Sequence, residues 1–183
     1  MKKYELTAEF IEKLGKKLFR IKALISFGSV EAGELGGYVE KEDNLAQNGN
    51  AWVCDDAEVY GNARVFGSAR VCGDARVYGN ARVCGNAWVC GNAWVCGNAD
   101  YLLIGRIGSR FSFTTFFKNK DKGITVSCGC FLGTIAEFRA KVTDTHGNNK
   151  HAKMYNLAAD MAELQILGEE HFDKLNTNKS EPF

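Results

Sequence analysis

The chain has 183 residues, with 23 Lys or Arg against 22 Asp or Glu, so its formal net charge is +1. So even a balance gives no electrostatic case for nucleic acid or a membrane surface as partner. The seven cysteines are an odd number and five share one register of a repeat, which reads as small apolar filler in a reducing compartment rather than a disulfide framework. No apolar run approaches the roughly 20 residues of a membrane span. Met1-Lys2-Lys3 is basic but no apolar stretch comes after it, so no signal peptide is read and a cytoplasmic location is expected.

At the start, Thr7 reads as the N-cap of a helix over Ala8 to Leu14, with Gly15 as its stop and Leu6 and Ile11 as a hydrophobic staple. Lys17 to Phe27 then alternates as a strand does, and Gly28, Gly33, Gly36 and Gly37 read as turns. Residues 1–36 therefore form a cap. A solenoid needs one, because its end would otherwise expose apolar core and unpaired strand edges.

A repeat dominates the middle of the chain. Valine recurs six residues apart from Val53 to Val95, with alanine two residues before each. Gly-Asn-like pairs such as Gly61-Asn62 and Gly85-Asn86 lie between them. Ala-x-Val is a short strand whose alternate side chains point inward, and Gly-Asn tolerates the positive φ of a turn. A six-residue period means a parallel β-helix, with three strands and turns closing one 18-residue coil. Val39 and Leu45 extend the period backwards, so the coil starts near Gly37. The eight residues from Leu45 to Val53 imply a two-residue bulge at Asn48-Gly49. The phase runs on through Tyr101 and Ile107, giving residues 37–108 about four coils. The repeat resembles the hexapeptide-repeat, left-handed β-helix family. That resemblance implies the handedness, and it implies a trimer, since related proteins are typically trimers.

Stacking at a period of 18 sets Trp52, Arg70 and Trp88 in one outward column beside Cys54, Cys72 and Cys90. A second face carries Glu58, Arg76 and Trp94 with Tyr60, Tyr78 and Cys96. A cation–π ladder that stabilises the coil is one reading of Trp52-Arg70-Trp88. An interface for self-association, using Trp52, Arg70, Trp88, Trp94, Tyr60 and Tyr78, is the favoured one, because so much aromatic surface faces outward.

The last third reads as an α+β module over residues 109–175. Phe111 to Lys118 is a strand, 119–123 (NKDKG) a hairpin turn, and Ile124 to Phe131 a second strand. Thr134 and Glu137 form a capping box for a helix with Ile135, Phe138 and Val142 as its buried stripe, closed by His146-Gly147. A second helix carries Met154, Leu157, Ala158, Met161 and Leu164 on one face. Residues 176–183 are polar, hold the only proline and read as a disordered tail.

Small and hydroxyl residues gather around one arginine in this module: Ser109, Arg110, Thr114, Thr115, Ser127, Cys128 and Thr134. Hydroxyls, backbone N–H groups, a helix N-terminus and an arginine suit a phosphate-bearing ligand. Cys128-x-Cys130 with His146 and His151 has zinc-ligand types, but the second pair lacks a firm spacing and no metal is assigned. A Cys-His nucleophile pair would need the two to meet in space, and no catalytic residue or cofactor is assigned either.

The segments KKLFRIKAL and AGELGGYVEKEDNL, the GNARV repeats, and the tail motifs IGSR, TTFF, VSCGCFLGT and THGNNKHAKMY resemble an uncharacterised family common in bacteriophages and prophages. That resemblance carries no catalytic residues. With it, the expected function is a non-enzymatic binding protein, a homo-oligomer that counters bacterial defence by holding a nucleotide-like immune signal or by binding a host defence protein. Two alternatives stand beside it. One is a hexapeptide-type acyltransferase, which the absence of histidine from the repeat disfavours. The other is a structural or assembly role, which caps at both ends disfavour.

Overall fold

The computed structural model describes residues 1–177. The chain divides into two compact units, Met1–Asn98 and Ala99–Phe183.

The first unit begins with a hairpin, not a helix. β1 (Tyr4–Lys13) pairs antiparallel with β2 (Lys16–Ala23), and Leu14-Gly15 turns between them with φ of 50° and 72°. Two successive positive φ angles define the tight turn whose twist matches its flanking strands. The expected helix over Ala8 to Leu14 is therefore corrected. The Thr7 hydroxyl that reads as a cap does accept a bond from the Glu9 N–H, at 3.2 Å, but inside an irregular stretch of β1. Pairing with β2, which buries Leu18, Ile21 and Ala23, overrides a weak helical preference.

β3 (Leu35–Val39) joins β2 to the solenoid. It runs antiparallel to β2 and parallel to the repeat, with Val39 opposite Val59. Gly36 and Gly37 lie within this strand rather than in a turn. A Cβ at Gly36 would stand 2.5 Å from the Val53 carbonyl oxygen, and one at Gly37 2.5 Å from that of Ala57.

The repeat forms eight two-residue strands: β4 (Trp52–Val53), β5 (Glu58–Val59), β6 (Arg64–Val65), β7 (Arg70–Val71), β8 (Arg76–Val77), β9 (Arg82–Val83), β10 (Trp88–Val89) and β11 (Trp94–Val95). They stack parallel in three faces, ordered β4-β7-β10, β3-β5-β8-β11 and β6-β9, each pair 18 residues apart within the repeat. Val39–Val59 and Leu45–Val65 are instead 20 apart, which is the two-residue insertion expected at Asn48-Gly49. All eight repeat valines are fully buried, and each contributes roughly 1.5–3 kcal/mol by leaving water. The protein is a β-solenoid of about three turns, not four. The Tyr101–Ile107 segment keeps the phase of the repeat but pairs elsewhere.

That segment is β12 (Tyr101–Ile107), the first strand of the second unit. It begins an antiparallel sheet, β12-β13-β14-β15, with β13 (Ser112–Lys118), β14 (Ile124–Cys128) and β15 (Phe131–Thr134). The expected single strand from Ile124 to Phe131 is thus two strands, folded back at Gly129, which has φ 61°. Among the described residues three helices complete the unit: α1 (Ile135–His146), α2 (Lys150–Leu167) and α3 (Glu169–Thr177). A hairpin with two helices is corrected to a four-stranded sheet with three. The Thr134–Glu137 capping box and the Gly147 stop of α1 are present. Of the expected tail, 178–183 lies outside the described residues.

In the core of this unit, Phe116, Ile124 and Val126 from the sheet meet Phe138, Val142, Tyr155, Ala159 and Ile166 from the helices. α2 does not bury the expected stripe. Met154, Leu157, Met161 and Leu164 are 40–63% exposed, and the face of Ala152, Tyr155, Ala159, Ala162 and Ile166 packs inward. Two apolar stripes run along this helix, and small residues let the second lie closer to its neighbours. Among the described residues no helix is long and apolar enough to cross a membrane.

Candidate functional site

A cavity of about 210 Å³ opens in the second unit. Three pieces of chain build it. The β12–β13 connection supplies Ser109 and Arg110. The β14–β15 turn supplies Cys128, Gly129 and Cys130. The helices supply Lys141, His146 and Tyr155. Phe131, Phe138 and Val142 form an apolar floor.

Glycines shape the mouth. The Arg110 guanidinium lies over Gly129, where a Cβ would stand 3.3 Å from Nη1. Gly108, with φ +72°, sits directly against the Tyr155 hydroxyl, so any side chain there would collide with the ring. Tyr155 stacks on His146 at 5.8 Å between centroids and meets Phe138 edge-on at 5.6 Å. Burial, reinforced by the adjoining Cys128 thiol, holds the Tyr155 phenol above its ordinary pKa, so it remains a proton donor near neutrality. Lys141 is exposed and pairs with Asp144 at 3.1 Å. Arg110 makes no ion pair with a carboxylate among the described residues.

Of the residues expected to bind a ligand, Ser109, Arg110 and Cys128 line this cavity. Thr114, Thr115 and Ser127 do not. They are buried within the sheet, where the Thr114 hydroxyl lies 3.2 Å from the Cys128 sulfur. Thr134 is committed to capping α1, accepting from the Glu137 N–H and donating to its carboxylate. Sequence reasoning did not place Lys141, Tyr155 or the aromatic floor at the ligand site, and it weighed His146 only beside the cysteines, as a metal ligand or base, and not as part of this cavity. Two of these, His146 and Tyr155, stand inside the THGNNKHAKMY motif, which was the available signal.

The aromatic columns of the solenoid are in register, with Trp52, Arg70 and Trp88 stacked on successive turns. Their exposure is uneven. Trp52 is fully buried, enclosed by Tyr4 and Phe27, so it faces the N-terminal segment and offers no outward surface. Trp88 and Trp94 remain exposed at 45% and 38%. Tyr60 and Tyr78 stack on each other at 5.3 Å, and the Arg76 guanidinium lies over Trp94.

Cys128, Cys130 and His146 share the cavity, but they are not the group that brings metal-ligand atoms together. Among the described residues, that group is Cys54, Asp55 and Cys72, on the first unit.

These features define a repeat β-helix protein whose chain continues, after the repeat in sequence, into a cavity-bearing α+β unit. Residues 57–73, 69–85, 75–91 and 81–97 match the YdcK Beta solenoid repeat, so the chain is similar to that family over its solenoid. No curated protein matches the chain.

Proposed function

We propose that this is a non-enzymatic binding protein whose second unit captures a small anionic, nucleotide-like ligand. The observation that carries this reading is Arg110, a guanidinium without a carboxylate partner among the described residues, at the mouth of a cavity floored by aromatic rings. Guanidinium pairs with phosphate bidentately, and the rings offer planar faces for a base. Lys141, which a ligand phosphate would draw from Asp144, stands at the same cavity, and Tyr155 and Ser109 supply hydroxyls. At about 210 Å³ the cavity suits one ring and its phosphate rather than an extended cofactor. The phage-like tail motifs supply the role within this reading: a nucleotide signal of bacterial defence is kept out of circulation.

The solenoid is a left-handed hexapeptide coil, following the repeat's resemblance, and the protein self-associates. Met154, Leu157, Met161 and Leu164 support self-association. They form an exposed stripe at alternating three- and four-residue spacing, the pattern with which one helix packs on its own copy.

Native mass spectrometry of protein purified from cells, before and after denaturation, tests the binding reading. A nucleotide-sized mass per subunit that is lost in Arg110→Ala is the expected result. Protein that stays empty after incubation with a panel of nucleotides would overturn it.

A further inference from the structure

The solenoid carries a second cluster that the binding reading does not use. Cys54, Asp55 and Cys72 each offer a ligand atom, and the three atoms all lie within 4.8 Å of one another. The cause is the repeat itself. Cys54 and Cys72 hold the same position on successive turns, so the strand spacing of about 4.8 Å brings their sulfurs together.

Asp55 is the departure from the repeat. Its place in the turn is glycine at Gly61, Gly67, Gly73, Gly79, Gly85 and Gly91, all with φ of 62–72°. Asp55 takes the same left-handed conformation, φ 56°, where a side chain costs roughly 1 kcal/mol or more. The Gly73 N–H donates to one of its carboxylate oxygens at 2.9 Å and so fixes how the group points. Around the sulfurs, the Trp88 indole N–H lies 2.9 Å from Cys72 and an Arg70 guanidinium nitrogen 4.0 Å from Cys54. An indole is only a donor, so this bond orients the Cys72 sulfur.

We infer that Cys54, Cys72 and Asp55 form a binding site for a borderline-soft divalent cation of the zinc type. Two sulfurs and one oxygen are three donors of a tetrahedron, and water takes the fourth position. Around one such ion, at bond lengths of about 2.3 Å to sulfur and 2.0–2.2 Å to oxygen, neighbouring donors stand roughly 3.5–3.8 Å apart. Binding therefore draws the three atoms, now within 4.8 Å of one another, together to that spacing. Two thiolates, one carboxylate and a dication sum to one negative charge, which Arg70 offsets. Binding releases the two thiol protons to solvent. Cys90, a further turn along, is too far from Cys54 to share the same ion.

The test uses the full chain, reduced with a phosphine and freed of metal by a chelator, titrated first with Co²⁺ alone and then with Zn²⁺. The expected result is one cobalt per chain, with a thiolate-to-cobalt charge-transfer band and the intense visible bands of tetrahedral cobalt, both displaced by zinc. Cys72→Ser abolishes the charge-transfer band or weakens binding at least tenfold. Asp55→Gly restores the residue of the sister turns, so its metal-free form unfolds no earlier than wild type, yet it binds at least tenfold more weakly. Cys90→Ser and Cys130→Ser leave the titration unchanged. Absence of tetrahedral bands in wild type, or full retention of them in Asp55→Gly and Cys72→Ser, would overturn the site.

Discussion

The Lys3 ammonium donates a 2.8 Å hydrogen bond to the carbonyl of Ala51, 48 residues further along the chain. Lys3 is 2% exposed, with Phe27 below its charge at 4.7 Å. A buried cation near the first turn of the solenoid ties the N-terminal hairpin to the repeat and makes that junction sensitive to pH.

Burial pushes the Lys3 pKa down from 10.5 to about 8. Between those values the unfolded chain binds more protons than the folded one, so this group makes stability rise as pH rises from about 8 to 10.5. Urea unfolding at pH 7.5 and pH 10, in wild type and in Lys3→Met, isolates the effect. Relative to the variant, wild type gains on the order of 1–3 kcal/mol at the higher pH. A constant difference between the two proteins would count against the assignment.

Glu40 titrates in the acid range instead. It accepts from Lys16 at 2.8 and 2.9 Å and from the Gly61 N–H at 2.6 Å. The Lys16 bond first, then the Gly61 amide, hold its carboxyl below the usual pKa. A depressed carboxylate contributes stability above its unfolded value, about 4.3, and loses it as pH falls towards the folded value. Acid unfolding of Glu40→Gln is therefore expected to be less steep below pH ~4.3 than that of wild type.

Gly36 has no room for a side chain. A Cβ would approach the Val53 carbonyl oxygen to 2.5 Å, Ile21 to 2.6 Å and Trp52 to 2.7 Å. Gly61 differs, because its nearest atoms would be 3.3 Å and 3.5 Å away, tight but not overlapping, and its φ of +71° adds the rest of the resistance to substitution. Gly36→Ala is expected to cost about 3 kcal/mol and Gly61→Ala about 1 kcal/mol. Thermal melts of the two variants give the ranking.

Arg139 of α1 reaches Asp160 and Glu163 of α2, each at 2.7 Å. Glu163 is 6% exposed, so Arg139→Ala strands a buried carboxylate and should cost about 3 kcal/mol. Arg139→Ala with Glu163→Gln should recover part of that loss. Helical circular dichroism against urea measures both.

Gly108→Ala tests the cavity without touching Arg110. The added methyl must displace the Tyr155 ring, and φ +72° already disfavours alanine. Nucleotide retention by native mass spectrometry is expected to fall at least tenfold while Arg110 is intact.

The repeat was legible because its physics is local. Each inward valine, each small alanine beside it and each positive-φ glycine repeats a choice that six residues specify, and stacking results from the strand spacing. Even the two-residue insertion before Val53 could be counted from the valines, and it reappears in the Val39–Val59 pairing. The capping box at Thr134 was legible for the same reason, since both of its bonds close within three residues. The ends of the solenoid were not. Thr7 and Gly15 carry helix signals, yet β1 is a strand because β2 pairs with it. Tyr101 keeps the repeat's phase, yet β12 leaves it for β13.

The second unit shows the same division. Sequence periodicity found two helices but took the wrong one of two apolar stripes on α2, because that choice depends on what the sheet offers to pack against. The sequence placed six small or hydroxyl residues around Arg110. Only the tertiary structure separated Ser109, Arg110 and Cys128, which reach the cavity, from Thr114, Thr115 and Ser127, which the sheet buries. The sequence by itself determined the solenoid, since its contacts recur at a fixed period. The tertiary structure alone decided which turns close it, which helix face stays exposed and which side chains meet at the cavity, because those contacts join segments with no periodic relation.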